Sequence, residues 1–296
     1  MKCDLTGVRE LYKATADRYT TAITPLMGEF AHDLAQWALN CLAAHRAGRL
    51  FDPFDLPSIR SPAHEVYPIR ALDLGTGTGA LAAGLAGTVR EVIGIDLVPE
   101  MLREISLPFA VHGDIHALPF ARASVDLVGA CFGLNHSDPK VSLREAARVL
   151  RPRGLLILQE WGARDPLSQI VEDILDSFAA DLPEALPSTL RHFCDSPTVW
   201  YDHLQDADDY RQWLRGRGFS LVYAHEEPFV RVRIPIATFL GAKLAWATAW
   251  HTLQALSEGR RAACRRALEQ ALTPHADHSG MLTFSPPLIR LCAVRG

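Results

Sequence analysis

The sequence predicts an α/β protein built on a doubly wound, mainly parallel sheet, and two observations lead to that prediction. From residue 69 onward, short apolar segments that end in Gly or Asp alternate with helical stretches. The first of these segments runs directly into a glycine-rich turn and then into an Ala- and Leu-rich helix. Strands that alternate with helices form parallel sheets with helices on both faces, because each crossover packs back onto the sheet.

Seven segments are predicted as strands of this sheet from their length, their apolar composition and the turns that bound them. They are residues 69–74, 91–96, 109–111, 125–130, 155–159, 219–224 and 288–294. Asp138 followed by Pro139 predicts the start of a helix that ends near Leu150, since Asp caps a helix and Pro suits its first position. The segment RPRG, residues 151–154, is predicted as the turn before the fifth strand.

Helices are predicted on both sides of this core. Residues 8–47 carry apolar side chains at helical spacing, and Pro25 is predicted to divide them into two helices. A proline-containing loop over residues 48–68 follows. Later helices are predicted mainly over residues 164–215, and over residues 236–255 and 260–272.

We therefore divide the chain into three parts. Residues 1–68 are N-terminal helices and a linker, residues 69–163 are the core that carries the glycine-rich turn, and residues 164–296 are helical insertions with the last two strands. The insertions are long enough to cover the carboxyl ends of the sheet. The sequence leaves open whether they form a lid over a substrate or only pack as helices.

Composition excludes several classes of function. The formal net charge is -4 and the pI is near 6.3, so no nucleic-acid partner is expected. The N-terminus has no apolar segment of signal-peptide length, and Lys243 interrupts the longest apolar stretch, so no membrane span is expected. Six cysteines without a CxxC pair make disulfides and a metal site unexpected. A cytoplasmic protein with reduced thiols is the expectation.

The motif ALDLGTGTGALA, residues 71–82, is the strongest functional signal. A strand ends with Asp73, and Gly75, Gly77 and Gly79 follow before a helix begins. Glycines let the backbone turn sharply and approach a ligand, and the helix start favours polar or negative ligand atoms. This spacing also fits the loose dinucleotide pattern GxGxxG/A, so the motif alone does not name the nucleotide.

Two further acids follow at strand ends. Asp96 ends the second strand, where a carboxylate can accept hydrogen bonds from both ribose hydroxyls of a nucleotide. Asp114 lies at the end of the third strand, within HGDIHALPF, where it could accept from an adenine amino group. Nicotinamide enzymes do not usually continue with such an ALPF turn.

Taken in order, these segments resemble the class I S-adenosylmethionine-dependent methyltransferases. Within that class the chain is similar to the broad type 11 branch that includes ubiquinone- and menaquinone-biosynthesis methyltransferases. The resemblance covers residues 71–160. It rests on the ordered set DLGTGTG, GIDLVPEML, GDIHALPF, FGLNH and VLRPRGLLIL.

The resemblance implies a seven-stranded Rossmann-like sheet and an S-adenosyl-L-methionine site in the core of residues 69–163, with S-adenosyl-L-homocysteine as the product. It assigns Gly75, Gly77 and Gly79 to the methionine part, with Asp73 beneath it. Asp96 would hold the ribose, Leu97 would pack on the adenine, and Asp114 with the Ile115 backbone would bind the adenine edge. Cys131 and Phe132 would approach the cofactor amino group.

Two positions depart from the family pattern. Thr76, assigned to the cofactor with its neighbours, stands where many members have Cys. Asn135 and His136 stand where the quinone enzymes carry an Arg-Asn pair, which argues against a quinol acceptor. Both lie just past the fourth strand, so His136 is predicted as the catalytic base and Asn135 as a residue that orients a substrate oxygen.

The expected function is methyl transfer to O, C or N of a small-molecule acceptor, without a metal. A nicotinamide-dependent oxidoreductase and a protein that binds S-adenosylmethionine without transferring methyl remain the alternatives. The sequence leaves a homodimer open.

Overall fold

The computed structural model describes residues 6–48, 53–54, 66–103, 105, 108–134, 136–180, 182, 204 and 206–296. The strands are β1 (Tyr67–Leu74), β2 (Val89–Asp96), β3 (Ala110–His112), β4 (Val125–Cys131), β5 (Leu150–Trp161), β6 (Phe219–Glu227), β7 (Val232–Pro235), β8 (Met281–Phe284) and β9 (Leu288–Arg295). The division of the chain into three parts stays a prediction.

The described helices begin before the first strand and continue between the strands. They are α1 (Thr6–Arg18), α2 (Thr24–Arg46), α3 (Ala80–Leu85), α4 (Pro99–Leu102), α5 (Pro139–Val149), α6 (Pro166–Ala179), α7 (Ala207–Leu214), α8 (Ile236–Ala245), α9 (Ala247–Ala255) and α10 (Glu258–Leu272). A π-helical turn, Tyr19–Ile23, joins α1 to α2. No helix in the described ranges is long and apolar enough to cross a membrane.

The main sheet has seven strands in the order β3-β2-β1-β4-β5-β9-β6. The first five strands in the chain are parallel, and β9 runs antiparallel between β5 and β6. Because the chain passes from β1 outward to β2 and β3 and then returns to β4, the order reverses between β1 and β4. Ligands of such sheets bind outside the carboxyl ends of the strands at this reversal.

Helices cover both faces of the sheet, which confirms the predicted fold class. On one face, Leu143 of α5 and Leu214 of α7 pack in one apolar cluster with β4 and β5. On the other face, α2 and α3 pack in a cluster that includes Leu34, Leu81 and Leu127. Each fully buried side chain of this size contributes about 1.5–3 kcal/mol, so α2 is held firmly on the sheet.

A third apolar cluster lies beyond the carboxyl ends of the strands. It joins α2 and the π-helical turn to α6, α8, α9 and α10, with Phe30, Phe239 and Phe284 completely buried. The predicted helical insertions therefore pack together with the N-terminal helices. They form one helical layer above the edge of the sheet where the parallel strands end.

Two local predictions were wrong and one pair of strands was missed, and each of these depends on a contact distant in sequence. The segment RPRG is the irregular first part of β5, since Leu150 already pairs with Val125 and Arg153 takes a φ of 66°. The helix predicted over residues 236–255 is two helices that break at Trp246, whose ring meets the Tyr19 ring edge-on. The antiparallel pair of β7 and β8 was not predicted, because both strands are short and they lie far apart in the chain.

A buried polar network fixes α2 to the sheet. Arg290 of β9 donates from Nε to Gln159 Oε1 at 2.7 Å and from Nη2 to Asp33 of α2. Gln159 in turn donates to the Phe30 carbonyl at 3.4 Å and lies 3.5 Å from Cys131 Sγ. The network thus connects the N-terminal helices to the end of β4.

Replacing Arg290 by Met should lower the free energy of unfolding by about 2 kcal/mol, because charge-assisted hydrogen bonds are lost and Gln159 Oε1 is left buried without its donor. Urea denaturation would measure it. Arg151→Met removes a more exposed pair, Arg151 with Asp126 at 2.7 Å, and should cost less than about 1 kcal/mol. Equal losses in the two variants would contradict a special role for Arg290.

Candidate active site

One cavity opens at the carboxyl ends of β1, β2 and β4, where the strand order reverses. The N-terminal helices close it from above, and the loop after β4 closes one side. The residues that line it are Val8, Tyr12, Tyr19, Thr24, Met27, Ala31, Asp73, Gly75, Thr76, Gly77, Thr78, Ala80, Leu81, Asp96, Leu97, Val98, Met101, Asp114, Ile115, Cys131, Phe132, Gly133, His136 and Ser137.

Two backbone segments meet at the floor of this cavity. Gly75 has a φ of 63°, and a Cβ on it would lie 2.5 Å from the Gly133 carbonyl oxygen. A Cβ on Gly133 would lie 2.0 Å from the Leu74 carbonyl oxygen. Side chains are excluded at both positions, so the loops after β1 and β4 touch through their backbones.

Asp73 is buried beneath the glycine-rich loop. Its Oδ2 accepts from Thr76 Oγ1 at 2.7 Å and from the Ala82 amide at 3.2 Å. Burial raises the pKa of Asp73 to about 7, against the opposing effect of those two donors. The carboxyl group therefore fixes the loop to the start of α3 and titrates near neutral pH.

Asp96 holds the same loop from the next strand. Its Oδ2 accepts from the Gly77 amide at 2.8 Å, and its Oδ1 accepts from the Val98 amide at 2.9 Å. Burial raises the pKa of Asp96, although both amide donors favour the ionised form. Each carboxylate oxygen retains a further lone pair for a ligand hydroxyl.

Asp114 is tied to the loop after β4 through His116. Asp114 Oδ1 accepts from the His116 amide at 2.8 Å and lies 3.1 Å from His116 Nδ1. His116 Nε2 accepts from the Asp138 amide at 2.8 Å, which assigns the proton of a neutral ring to Nδ1. His116 is thus a structural link between the third strand and α5.

The N-terminal helices supply Tyr12, Tyr19 and Thr24 to the cavity, and Thr24 was not among the predicted site residues. Thr24 Oγ1 lies 3.1 Å from Thr78 Oγ1 of the glycine-rich loop, which docks α2 onto it. The π-helical turn directs Tyr19 into the cavity, and Tyr12 packs against Tyr19 with ring centroids 6.4 Å apart. π-helical turns often occur at functional sites. This turn is visible only in the structure, since no residue pattern in the sequence predicts it.

Burial also sets the protonation of groups after β4. It lowers the pKa of His136 to about 3, so the imidazole is neutral at neutral pH. The His136 ring lies 5.7 Å from the Tyr12 ring, measured between centroids. Burial raises the pKa of the Cys131 thiol, which therefore stays protonated and is a weak nucleophile.

Most predicted site residues come together in this cavity. Asp73, Gly75, Thr76, Gly77, Asp96, Leu97, Asp114, Ile115, Cys131 and His136 all line it. Gly79 does not line it, because it caps α3 in a left-handed conformation and faces Ile105. Asn135 lies outside the described residues. The roles of all these residues stay predictions.

The comparisons with known proteins agree with this geometry. A family profile described as "Methyltransferase domain" matches residues 72–158, the segment that carries both loops of the cavity floor. Residues 72–158 therefore match a methyltransferase domain. The recognition made from the sequence motifs is therefore confirmed.

Curated methyltransferases match a wider part of the chain. A malonyl-[acyl-carrier protein] O-methyltransferase of Halorhodospira halophila is 31% identical over 56% of this chain and 57% of its own length. A demethylmenaquinone methyltransferase of Renibacterium salmoninarum is 31% identical over 51% of this chain and 66% of its own length. The chain thus spans between half and two thirds of these relatives.

A solved structure aligns with nearly the whole chain. It is a SAM-dependent methyltransferase of Thermotoga maritima, described as a possible histamine N-methyltransferase, with a TM-score of 0.50 and 13% identity. The alignment covers 97% of this chain and 99% of that one. At this identity the likeness concerns the fold alone.

Replacing Asp73 by Asn should stabilise the ligand-free protein more at pH 8 than at pH 5. Stability that depends on a protonated Asp73 is fully present below its ordinary pKa and is lost as pH rises through about 7. Asn cannot ionise, so its melting temperature should exceed that of the unmodified protein above pH 7, by about 2–4 °C per kcal/mol. Thermal melts from pH 5 to 8 would measure it.

Asp176→Asn, an exposed substitution on α6, is the control and should leave the pH dependence unchanged. If the Asp73 variant melts at a lower temperature than the unmodified protein at pH 8, ionised Asp73 stabilises the free protein. That result would contradict the raised pKa of Asp73.

Proposed function

We propose that this protein is an S-adenosylmethionine-dependent methyltransferase that moves a methyl group to O, C or N of a small-molecule acceptor. The observation that carries the proposal is the cavity at the strand-order reversal, where the glycine-rich loop meets three carboxylates, Asp73, Asp96 and Asp114. The methyltransferase domain occupies the same residues.

The cavity residues suit this cofactor. The loop of Gly75 and Gly77 presents backbone toward the cavity, where a methionine carboxylate and amine would lie. Asp96 has acceptor capacity for the ribose hydroxyls, and Asp114 with Ile115 borders the place for adenine. When bound, S-adenosylmethionine supplies a methyl group on a positively charged sulfur and leaves as S-adenosylhomocysteine.

The protein's own contribution is alignment. A methyl group on a positive sulfur is already activated, so the chain needs to hold the acceptor atom in line with it and exclude water. The N-terminal helices and Phe132 cover the cavity and thereby exclude water. The described residues hold no cluster of His, Cys, Asp or Glu arranged for a metal ion.

The charge of the cavity restricts the acceptor. Among the described residues that line it, the charged ones are Asp73, Asp96 and Asp114, with no Lys or Arg. An acceptor carboxylate or phosphate inside the cavity would therefore lack a protein cation. The aromatic and apolar walls, with Tyr12, Tyr19 and Phe132, suit a reacting group that is uncharged.

His136 is proposed as the residue that receives or orients the acceptor proton. A neutral imidazole can accept a hydrogen bond, but burial makes the imidazolium costly. His136 therefore suits an acceptor that loses its proton easily, and alignment is its main contribution. Asn135 stays a predicted partner in orienting the substrate oxygen.

The names of the relatives give malonyl-[acyl-carrier protein] and demethylmenaquinone as their substrates. Neither is a direct guide to the acceptor of this chain, since the cavity lining has no cation for a malonyl carboxylate and Asn135 and His136 replace the Arg-Asn pair of the quinone enzymes. None of these relatives supports the alternative of a nicotinamide-dependent oxidoreductase. Three further expectations stay predictions: a cytoplasmic location, a homodimer and the lack of a nucleic-acid partner. Turnover distinguishes an enzyme from a protein that only binds the cofactor.

Calorimetric titration tests the cofactor. S-adenosylmethionine and S-adenosylhomocysteine should bind with dissociation constants on the order of micromolar, and NAD should not bind. Asp96→Asn should weaken both by roughly tenfold or more, because a charge-assisted bond to the ribose is lost. Asp173→Asn, exposed on α6, should bind normally. Binding of NAD alone would refute the proposal.

Substituting His136 tests its part in turnover. His136→Phe keeps a buried ring and should lower kcat on the order of 100-fold, while the affinity for S-adenosylhomocysteine changes less than about twofold. His275→Phe, at an exposed position, is the control. Because His136 stays neutral, its loss should not shift the pH profile of kcat between pH 5 and 8. An unchanged kcat would exclude His136 from the reaction.

A further inference from the structure

A second cavity lies away from the active site, between α5 and α7. It is lined by Lys140, Leu143, Arg144, Trp213 and Arg217, which we call the basic groove. Its cavity volume is about 370 Å³, within the range of sites that hold small organic ligands. It shares no residue with the lining of the active-site cavity.

The cations of the basic groove have no acidic partner. Within the part of the chain that the structure describes, Lys140, Arg144 and Arg217 take part in no ion pair. The neighbouring acid of Arg144 is Glu145, which is committed to Arg148 at 2.7 Å. Among the described residues, the groove therefore carries three cations that no carboxylate neutralises.

The positions of Lys140 and Arg144 on α5 bring their positive charges close enough to repel each other. Lys140 and Arg144 are four residues apart on α5, and like charges at that spacing repel. Lys140 also stands in the first turn, at the positive end of the helix dipole. Asp138 offsets part of this charge, and its side chain caps the helix by accepting from the Lys140 amide at 2.8 Å.

The floor of the groove is apolar. Leu143 is buried in the main core, and Trp213 is half-buried against the same cluster. The Arg217 guanidinium lies over the Trp213 ring at 4.4 Å from its centroid and donates to the Trp213 carbonyl. Arg217 is therefore held in place at one end, while the Lys140 and Arg144 side chains remain available for a ligand.

We propose that the basic groove binds the phosphate group of a small phosphorylated organic molecule. Two guanidinium groups and an ammonium match a phosphate dianion, which accepts several charge-assisted hydrogen bonds at once. The organic part would lie on Leu143 and the edge of Trp213. Since α5 begins two residues after Ser137, which lines the active-site cavity, the ligand would contact the helix that follows the His136 loop.

Calorimetry on the full chain tests this site with two probes. Phenyl phosphate should bind with a dissociation constant on the order of 0.1–1 mM, and inorganic phosphate more weakly. Equal affinity for the two would overturn the organic part of the proposal and leave a site for free phosphate. Phenol, which lacks the phosphate, should not bind there.

The double variant Lys140→Gln/Arg144→Gln should weaken phenyl phosphate binding by roughly tenfold or more. The matched control is Arg265→Gln/Arg266→Gln, which removes two exposed charges from α10 and should leave binding unchanged. Equal weakening in both variants, or no binding by the unmodified protein, would mean that the cations are only solvated and would overturn the proposal.

A final titration separates the groove from the active site. With the protein saturated in S-adenosylhomocysteine, phenyl phosphate should still bind, because the two cavities share no lining residue. Competition between the two ligands would place the phosphate in the active-site cavity and overturn a separate site. The result does not depend on methyl transfer, so it stands apart from the test of the proposed function.

Discussion

The close backbone contact between the loops after β1 and β4 is the constraint on which the rest of the site depends. Neither Gly75 nor Gly133 has room for a side chain, so the two loops meet directly at the strand-order reversal. The contact brings the carboxylates of the first strands and the His136 loop to one cavity. A methyl donor and its acceptor have to be held together to react, and this contact provides the common floor.

Buried charge is the second feature that shapes the site. Burial raises the pKa of Asp73 and Asp96 and lowers the pKa of His136, so the protein surroundings disfavour charge at each of them. In the proposed function, a cofactor with positive charge would stabilise the ionised carboxylates. Their burial lowers the stability of the free protein but prepares the site for such a ligand. The side of the cavity that Tyr12, Tyr19 and Phe132 line carries rings rather than ionised groups.

Local sequence signals were sufficient for the core. The strands, the glycine-rich turn and the acids at the strand ends were predictable, because each depends on apolar runs and turn residues within a few positions. Thr24 was not predicted in the site, since a helical pattern gives the buried face but not what that face meets. Gly133 was missed for the same reason: its role depends on Leu74, far away in the chain.

The sequence by itself determined the seven strands of the main sheet, the class of sheet and the residues at the ends of its first three strands. Only the tertiary structure decided how the N-terminal helices close the cavity, where the helix over residues 236–255 breaks and which cations are left unpaired along α5. The physical reason is the distance along the chain over which each interaction acts. Backbone propensity and periodicity act between neighbours in the chain, whereas burial, charge pairing and the lining of a cavity depend on contacts between distant segments.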